Sequence, residues 1–158
     1  MGMEHIVLDS IDRRILAVLR EDGRITNQDL SQRVGLSPTP CLRRLKRLEE
    51  TGVIQGYTAV VDPKAYGLPF SVFVSVRLTQ QNQEQIAEFE KAVESWSEVA
   101  ECYLMTGSQD YLLRVVTDGI EGYERFLKQK ATRLKCIQSV ESNFALATIK
   151  KRSGLPPV

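Results

Sequence analysis

The stretch TNQDLSQRVGLSPTPCLRRLKR, Thr26 to Arg47, holds two short helical patterns that meet at Gly35, and the second carries Arg43, Arg44, Lys46 and Arg47 within five positions. At about 100° per residue, Cys41, Leu42, Leu45 and Leu48 share one side of that helix. Arg43 and Arg47 fall on the opposite side, with Thr39 and Lys46 beside them. An apolar back seated in a core and a basic front facing water is what a helix docked into the major groove of double-stranded DNA requires. The stretch therefore reads as a helix-turn-helix.

Working outward, Asp9 is placed to cap a first helix whose Ile11, Ile15, Leu16 and Leu19 form one apolar stripe, with Gly23 just past its end. Thr26 and Asp29 have the spacing of a capping box, with Asp in place of the usual Glu or Gln. Leu30 and Val34 face the core before Gly35 stops the second helix. Ser37 caps the third, Pro38 suits its first position, and Gly52 closes it. Val53 to Tyr57 and Thr58 to Val61 read as a strand pair or an extended arm, where a wing would follow a recognition helix. Asp62-Pro63 and Gly67-Leu68-Pro69 are turn signals that mark a linker. The resulting division is a DNA-binding domain over 1–62, a linker over 63–69 and a second domain over 70–158.

Beyond Phe70 the periodicity changes. Val72, Val74, Val76 and Leu78 alternate as in a strand, and Ile86, Phe89, Val93 and Trp96 follow at helical spacing. Two strand-like runs, Val99–Thr106 and Tyr111–Thr117, flank a tight segment, Gly107 to Asp110. A second helical stripe uses Ile120, Tyr123, Phe126, Leu127, Ala131 and Leu134, and a last strand runs from about Ile137 to Ile149. The order βαββαβ predicts a four-stranded antiparallel sheet with both helices on one face. Apolar residues on the other face would need a cover, and a second copy of the same sheet supplies one, giving a symmetric dimer.

Composition sets bounds on function. A net charge of +1 and a pI near 7.7 leave no diffuse basic field, so DNA affinity must come from a local patch. Cys41, Cys102 and Cys136 are three in number and widely spaced, which points to a reducing, bacterial-type cytoplasm. Cys41 reads as a small core hydrophobe. No apolar run reaches the roughly 20 residues that span a bilayer. The single histidine, His5, has no Cys or carboxylate at ligand spacing, so neither a zinc site nor a histidine-based triad is expected. No phosphate-binding glycine loop is present, and no enzyme activity is expected.

The chain resembles the Lrp/AsnC, or feast/famine, transcription regulators. The resemblance is carried by Leu8-Asp9-x-x-Asp12-Arg13-x-Ile15-Leu16, Asp22-Gly23-Arg24-Ile25, Val34 to Cys41, Arg47-Leu48-Glu49, Gly52 to Tyr57, and Thr106-Gly107-x-x-Asp110-Tyr111-Leu112-Leu113. It implies an α+β fold: an N-terminal winged helix-turn-helix, then a ferredoxin-like βαββαβ (RAM-type) sandwich domain that senses a ligand. It also implies homodimers that assemble into octamers.

Ser37, Thr39, Pro40, Arg43, Arg44, Lys46 and Arg47 are the expected DNA surface, and residue type alone does not sort base-edge from phosphate contacts. Glu49 and Glu50, at the far end of the helix, would repel phosphates, so DNA should lie nearer its front. In the second domain the hairpin from Thr106 to Asp110 reads by itself as an ordinary tight turn. The resemblance implies more: an effector pocket between dimers, with Leu104, Thr106, Gly107, Asp110 and Tyr111 on one side and Ile137, Gln138 and Ser139 from the neighbouring subunit. A free amino acid needs an acidic partner for its ammonium, which Asp110 can be, and open amides for its carboxylate, which the Gly107 turn offers. Similarity to the leucine-responsive branch favours leucine, with methionine second. No other cofactor and no metal are implied. The protein would then regulate transcription in the cytoplasm, associated with the nucleoid. The alternative is an architectural DNA-binding protein whose second domain only assembles oligomers.

Overall fold

The computed structural model describes residues 6–150. These form two compact units, the first running to Val60 and the second from Val61 to Ile149. His5 lies outside the described residues.

The first unit is three helices, α1 (Ser10–Glu21), α2 (Asn27–Val34) and α3 (Pro38–Glu50). Asp9 does cap α1. Its Oδ1 accepts from the amides of Ile11 at 2.9 Å and Asp12 at 2.8 Å, while Asp12 Oδ2 accepts from the Asp9 amide at 3.2 Å, a reciprocal capping box. Thr26 Oγ1 accepts from the Asp29 amide, but Asp29 turns its carboxylate to the Thr26 hydroxyl at 2.7 Å rather than to the backbone. Gly35, at φ 74°, supplies the left-handed residue that ends α2.

Ser37 occupies the cap position of α3 without a side-chain hydrogen bond, contrary to its expected role. A cap hydroxyl accepts from the second or third helical amide, and the third residue here is Pro40, which has none, so only the Thr39 amide is left to it. Instead, Asn27 Nδ2 donates to the Pro38 carbonyl at 2.9 Å and ties α2 to the start of α3.

Ile15, Leu30, Val34, Cys41 and Leu48 form the buried centre of this unit, with Leu16, Leu19, Leu36, Leu45, Val53 and Ile54 packed around them. Leu42 is 41% exposed and does not belong to the core. The i, i+4, i+7 stripe of Cys41, Leu45 and Leu48 fixes the inward direction, and Leu42 points about 90° away from it. The expected strand pair over 53–61 does not form: no strand occurs between Thr51 and Pro69. Val53 and Ile54 are used against the helical core, and the residues after them have no partner strand. The arm is held instead by Tyr57, whose hydroxyl donates to Glu49 at 2.8 Å. Burial and the Glu49 carboxylate push this phenol up to about 12.

The Asp12 amide and the Arg44 guanidinium hold the Asp9 carboxyl at about 2, below its usual 3.8. A depressed carboxylate stabilises the fold above its unfolded value and stops doing so as pH falls through its folded value. Relative to Asp9→Asn, which keeps a capping side chain, the wild type should therefore lose its stability advantage between about pH 4 and pH 2. Acid denaturation of the two proteins measures this, and an advantage that persists at about pH 2 would contradict it.

The second unit contains β1 (Phe70–Leu78), α4 (Gln83–Glu94), β2 (Val99–Leu104), β3 (Tyr111–Thr117), α5 (Ile120–Gln129) and β4 (Ile137–Phe144). Its strands are ordered β2-β3-β1-β4, every neighbouring pair antiparallel. Val72, Val74, Val76 and Leu78 of β1 and Tyr111, Leu113 and Val115 of β3 bury against Phe89 and Val93 of α4 and Tyr123 and Phe126 of α5. The Phe89 and Tyr111 rings lie 4.5 Å apart, and Trp96 meets Phe126 edge-on at 5.3 Å. This is the expected βαββαβ sandwich, with the helices on one face.

Three boundaries differ from the sequence reading. β2 stops at Leu104 because the Met105 amide already closes the hairpin onto the Asp110 carbonyl, at 2.8 Å. β4 stops at Phe144, which pairs with Val72 near the start of β1, so its partner strand runs out. α5 ends at Gln129, followed by one 3-10 turn over Ala131–Arg133, and Ile120 at its start is exposed rather than buried.

Candidate DNA-binding surface and effector loop

α3 presents Ser37, Thr39, Arg43, Lys46 and Arg47 as exposed side chains, with Pro40 half-buried. Arg43 and Lys46 form no ion pair among the described residues. Arg44 is differently engaged: its Nη1 donates to Asp9 Oδ2 at 2.6 Å and to Asp12 Oδ1 at 2.9 Å. Arg47 Nη2 donates to Asp12 Oδ2, although its side chain is 47% exposed. Arg44 is thus turned toward α1 and is not a free DNA contact, which corrects its place in the expected surface. The helical wheel held this signal, because Arg44 lies only about 60° from Cys41, on the flank of the core stripe. Asp12, fully buried, entered the sequence reading only as part of the family motif, with no role of its own.

In the second unit, β2 and β3 hold the loop from Met105 to Asp110. Asp110 is 8% exposed. Its Oδ2 accepts from the Leu78 amide at 2.7 Å and its Oδ1 from Gln81 Nε2 at 2.6 Å, while its own amide donates to the Val76 carbonyl at 2.9 Å. The carboxylate is therefore turned into the fold, with one donor on each oxygen, and is poorly placed for the expected ammonium contact. Tyr111 is likewise a core residue: its ring packs on Phe89 and its hydroxyl donates to Glu90 at 2.9 Å. Burial, then Glu90, push that phenol upward.

Leu104 at the end of β2 and the loop residues Met105, Thr106, Gly107 and Ser108 are exposed. Gly107, at φ 112°, takes a backbone conformation that a side chain would strain. The amides of Thr106, Gly107, Ser108 and Gln109 donate to nothing among the described residues. Ile137, Gln138 and Ser139 begin β4, at the same end of the sheet but on its opposite edge from β2. Leu104 on the β2 edge is three inter-strand steps of about 4.8 Å from them. Asp110 is nearer, because its carboxylate holds the amide of Leu78, the register partner of Ile137, so a single copy places Asp110 close to the start of β4 and keeps Leu104 apart from it.

A cavity of about 390 Å³ lies elsewhere, lined by Ser97, Glu98, Thr117, Asp118, Arg125 and Lys130 among others. Its cations are matched internally, Arg125 by Asp118 at 3.1 Å and Lys130 by Glu98 at 2.6 Å. It offers no uncompensated charge to a ligand.

A basic helix on a capped three-helix unit, joined to a βαββαβ unit with an open-amide loop, defines a two-domain DNA-binding regulator. Comparison with known proteins agrees. Residues 8–55 match the family described as winged helix-turn-helix DNA-binding, and residues 71–155 match the Lrp/AsnC ligand-binding domain. The chain belongs to the Lrp/AsnC family of transcription regulators, with an N-terminal DNA-binding and a C-terminal ligand-binding domain. It is 44% identical to the Bkd operon transcriptional regulator of Pseudomonas aeruginosa over 149 residues, covering 94% of this chain and 97% of that one. It is 40% identical to the leucine-responsive regulatory protein of Escherichia coli K12, covering 94% and 90%. Among solved structures, a transcriptional regulator of Neisseria meningitidis in complex with L-methionine superposes with a TM-score of 0.90, at 37% identity and 95% and 97% coverage. No described helix is long and apolar enough to cross a membrane.

Proposed function

We propose that this regulator takes leucine or methionine as its effector and changes its DNA binding in response. The observation that carries the reading is the loop with four open amides around Gly107, where an effector carboxylate would be received. The exposed, apolar Leu104 beside it suits an aliphatic side chain. The similarity to a leucine-responsive protein and to a methionine complex supports the same choice. Ile137, Gln138 and Ser139 complete the site from a neighbouring copy, as the family resemblance implies, since within one chain Leu104 lies on the opposite edge of the sheet from them. Since Asp110 is buried and turned into the fold, we assign the ammonium no partner within this chain.

The sheet supports assembly. Its uncovered face carries Phe73, Tyr103, Leu112 and Val116, and a second copy of that face would cover them, giving a dimer that builds to an octamer. The effector, held between dimers, shifts the assembly equilibrium and with it the set of DNA half-sites engaged together. The linker over 63–69, between domains at 1–62 and 70–158, carries the change to the DNA-binding heads. The protein acts by binding, without catalysis, in the cytoplasm on the nucleoid. Calorimetric titration with leucine, methionine and the other amino acids tests this reading. Heat from either of the two, with an altered footprint on promoter DNA, is the expected result, and silence across the set would overturn it.

On the DNA side, Ser37, Thr39, Arg43, Lys46 and Arg47 form the contact surface. Arg43→Ala and Lys46→Ala should each flatten the dependence of log affinity on log salt by about one. Arg44→Ala should leave that slope at the wild-type value. Equal flattening by all three, measured by anisotropy across a salt series, would return Arg44 to the DNA surface.

A further inference from the structure

The side chain of Asp12 is 1% exposed and lies in the contact between α1 and α3, bonded to Arg44 and Arg47. Both of its oxygens are used: Oδ1 by Arg44, Oδ2 by Arg47 and by the Asp9 amide. Such a carboxylate cannot rotate without orphaning donors on two helices. We propose that Asp12 is a positioning residue for DNA recognition, which fixes the guanidinium of Arg47 as a preset fork and thereby raises discrimination between sequences.

Three observations carry this. Arg47 is bound through Nη2 alone, so its Nε and Nη1 keep their donors, and its half-exposed side chain lies one helical turn beyond Arg43 on the same front. An arginine held by a carboxylate on one edge meets a guanine or a phosphate with its geometry already set, and loses less freedom on binding. The charges also balance, because Asp9 and Asp12 together cancel Arg44 and Arg47. The cluster therefore adds orientation to the surface without adding net attraction for every phosphate, and non-specific affinity is left to Arg43 and Lys46. Orientation without added charge raises the ratio of specific to non-specific binding.

The inference rests on the family's DNA-binding function and is independent of the effector. The full-length chain is used to enrich a duplex from random-sequence DNA, and affinities for it and for a shuffled duplex of equal length are measured by anisotropy. Asp12→Asn, checked for folding by circular dichroism, should lower the specific-to-shuffled ratio by about tenfold, within the worth of one arginine–guanine pair. It should also bind the shuffled duplex more tightly, since one negative charge is gone. Arg47→Lys keeps the charge and loses the fork, and should lower the ratio to a similar degree, with no further loss when combined with Asp12→Asn. A purely structural role predicts both affinities falling together with the ratio intact, which overturns the proposal, as would losses that multiply in the double variant. If Asp12→Asn does not fold, the wild type decides: the Arg47 guanidinium should be ordered in NMR relaxation of the DNA-free protein, and a freely mobile one overturns the assignment. A total failure to enrich DNA would instead count against the DNA-binding function.

Discussion

Replacing Asp110 with alanine is expected to cost the second unit about 3 kcal/mol and to silence the amino-acid response as well. The stability loss follows from two charge-assisted hydrogen bonds, from the Leu78 amide and Gln81 Nε2, each worth about 1.5–3 kcal/mol and partly recovered by water. The functional loss follows from position. Asp110 fastens the end of the 105–110 loop to β1, and without that fastening the amides around Gly107 lose their common direction. Asp110→Asn separates this account from direct recognition of an effector ammonium. Asparagine keeps a carbonyl oxygen for the Leu78 amide and preserves the loop, so it should retain most of the binding heat; a direct ammonium contact would lose its charge partner and the binding with it. Chemical denaturation and calorimetry on the two variants decide between the accounts.

The largest purely structural effect is expected from Phe89→Ala, a loss of about 3–5 kcal/mol. Phe89 is fully buried and joins the α4 side of the core to the sheet, with its ring against both Tyr111 and Trp96. Truncation opens a cavity between aromatic rings that are themselves fixed by other partners, Tyr111 by Glu90 and Trp96 by Phe126, so little collapse is available to fill it. A urea titration showing a loss below about 1 kcal/mol would mean that the aromatic cluster repacks freely.

Much of this architecture was legible in the chain because the informative residues act locally. The αL glycine at position 35, the Asp9 cap and the period-two run from Val72 to Leu78 state their conformations within a few positions of themselves. What was not legible depended on partners distant in sequence. Arg44 and Asp12 are 32 residues apart, and only the packing of α1 on α3 shows that the arginine is spent on the acid. Asp110 read as a ligand for an ammonium because the family resemblance places an effector pocket there and an ammonium needs an acidic partner; the Leu78 amide and Gln81 that engage it come from another strand and the loop after it. The end of β4 was set by where β1 begins, a property of the pair rather than of either strand.

The two prolines that open α3 bear on how this helix can meet a polyanion. A helix start ordinarily grips a phosphate with its own unpaired N–H groups. Here Pro38 and Pro40 have none, and the amide of Cys41 is committed to the Ser37 carbonyl at 3.2 Å. That leaves the amides of Ser37 and Thr39 as the backbone donors at the tip, half of the usual four. The helix therefore has a reduced main-chain clamp for holding any DNA regardless of sequence, and more of its grip passes to side chains. Side chains can be exchanged one at a time, so the same three-helix scaffold can be turned toward new operators without rebuilding its backbone.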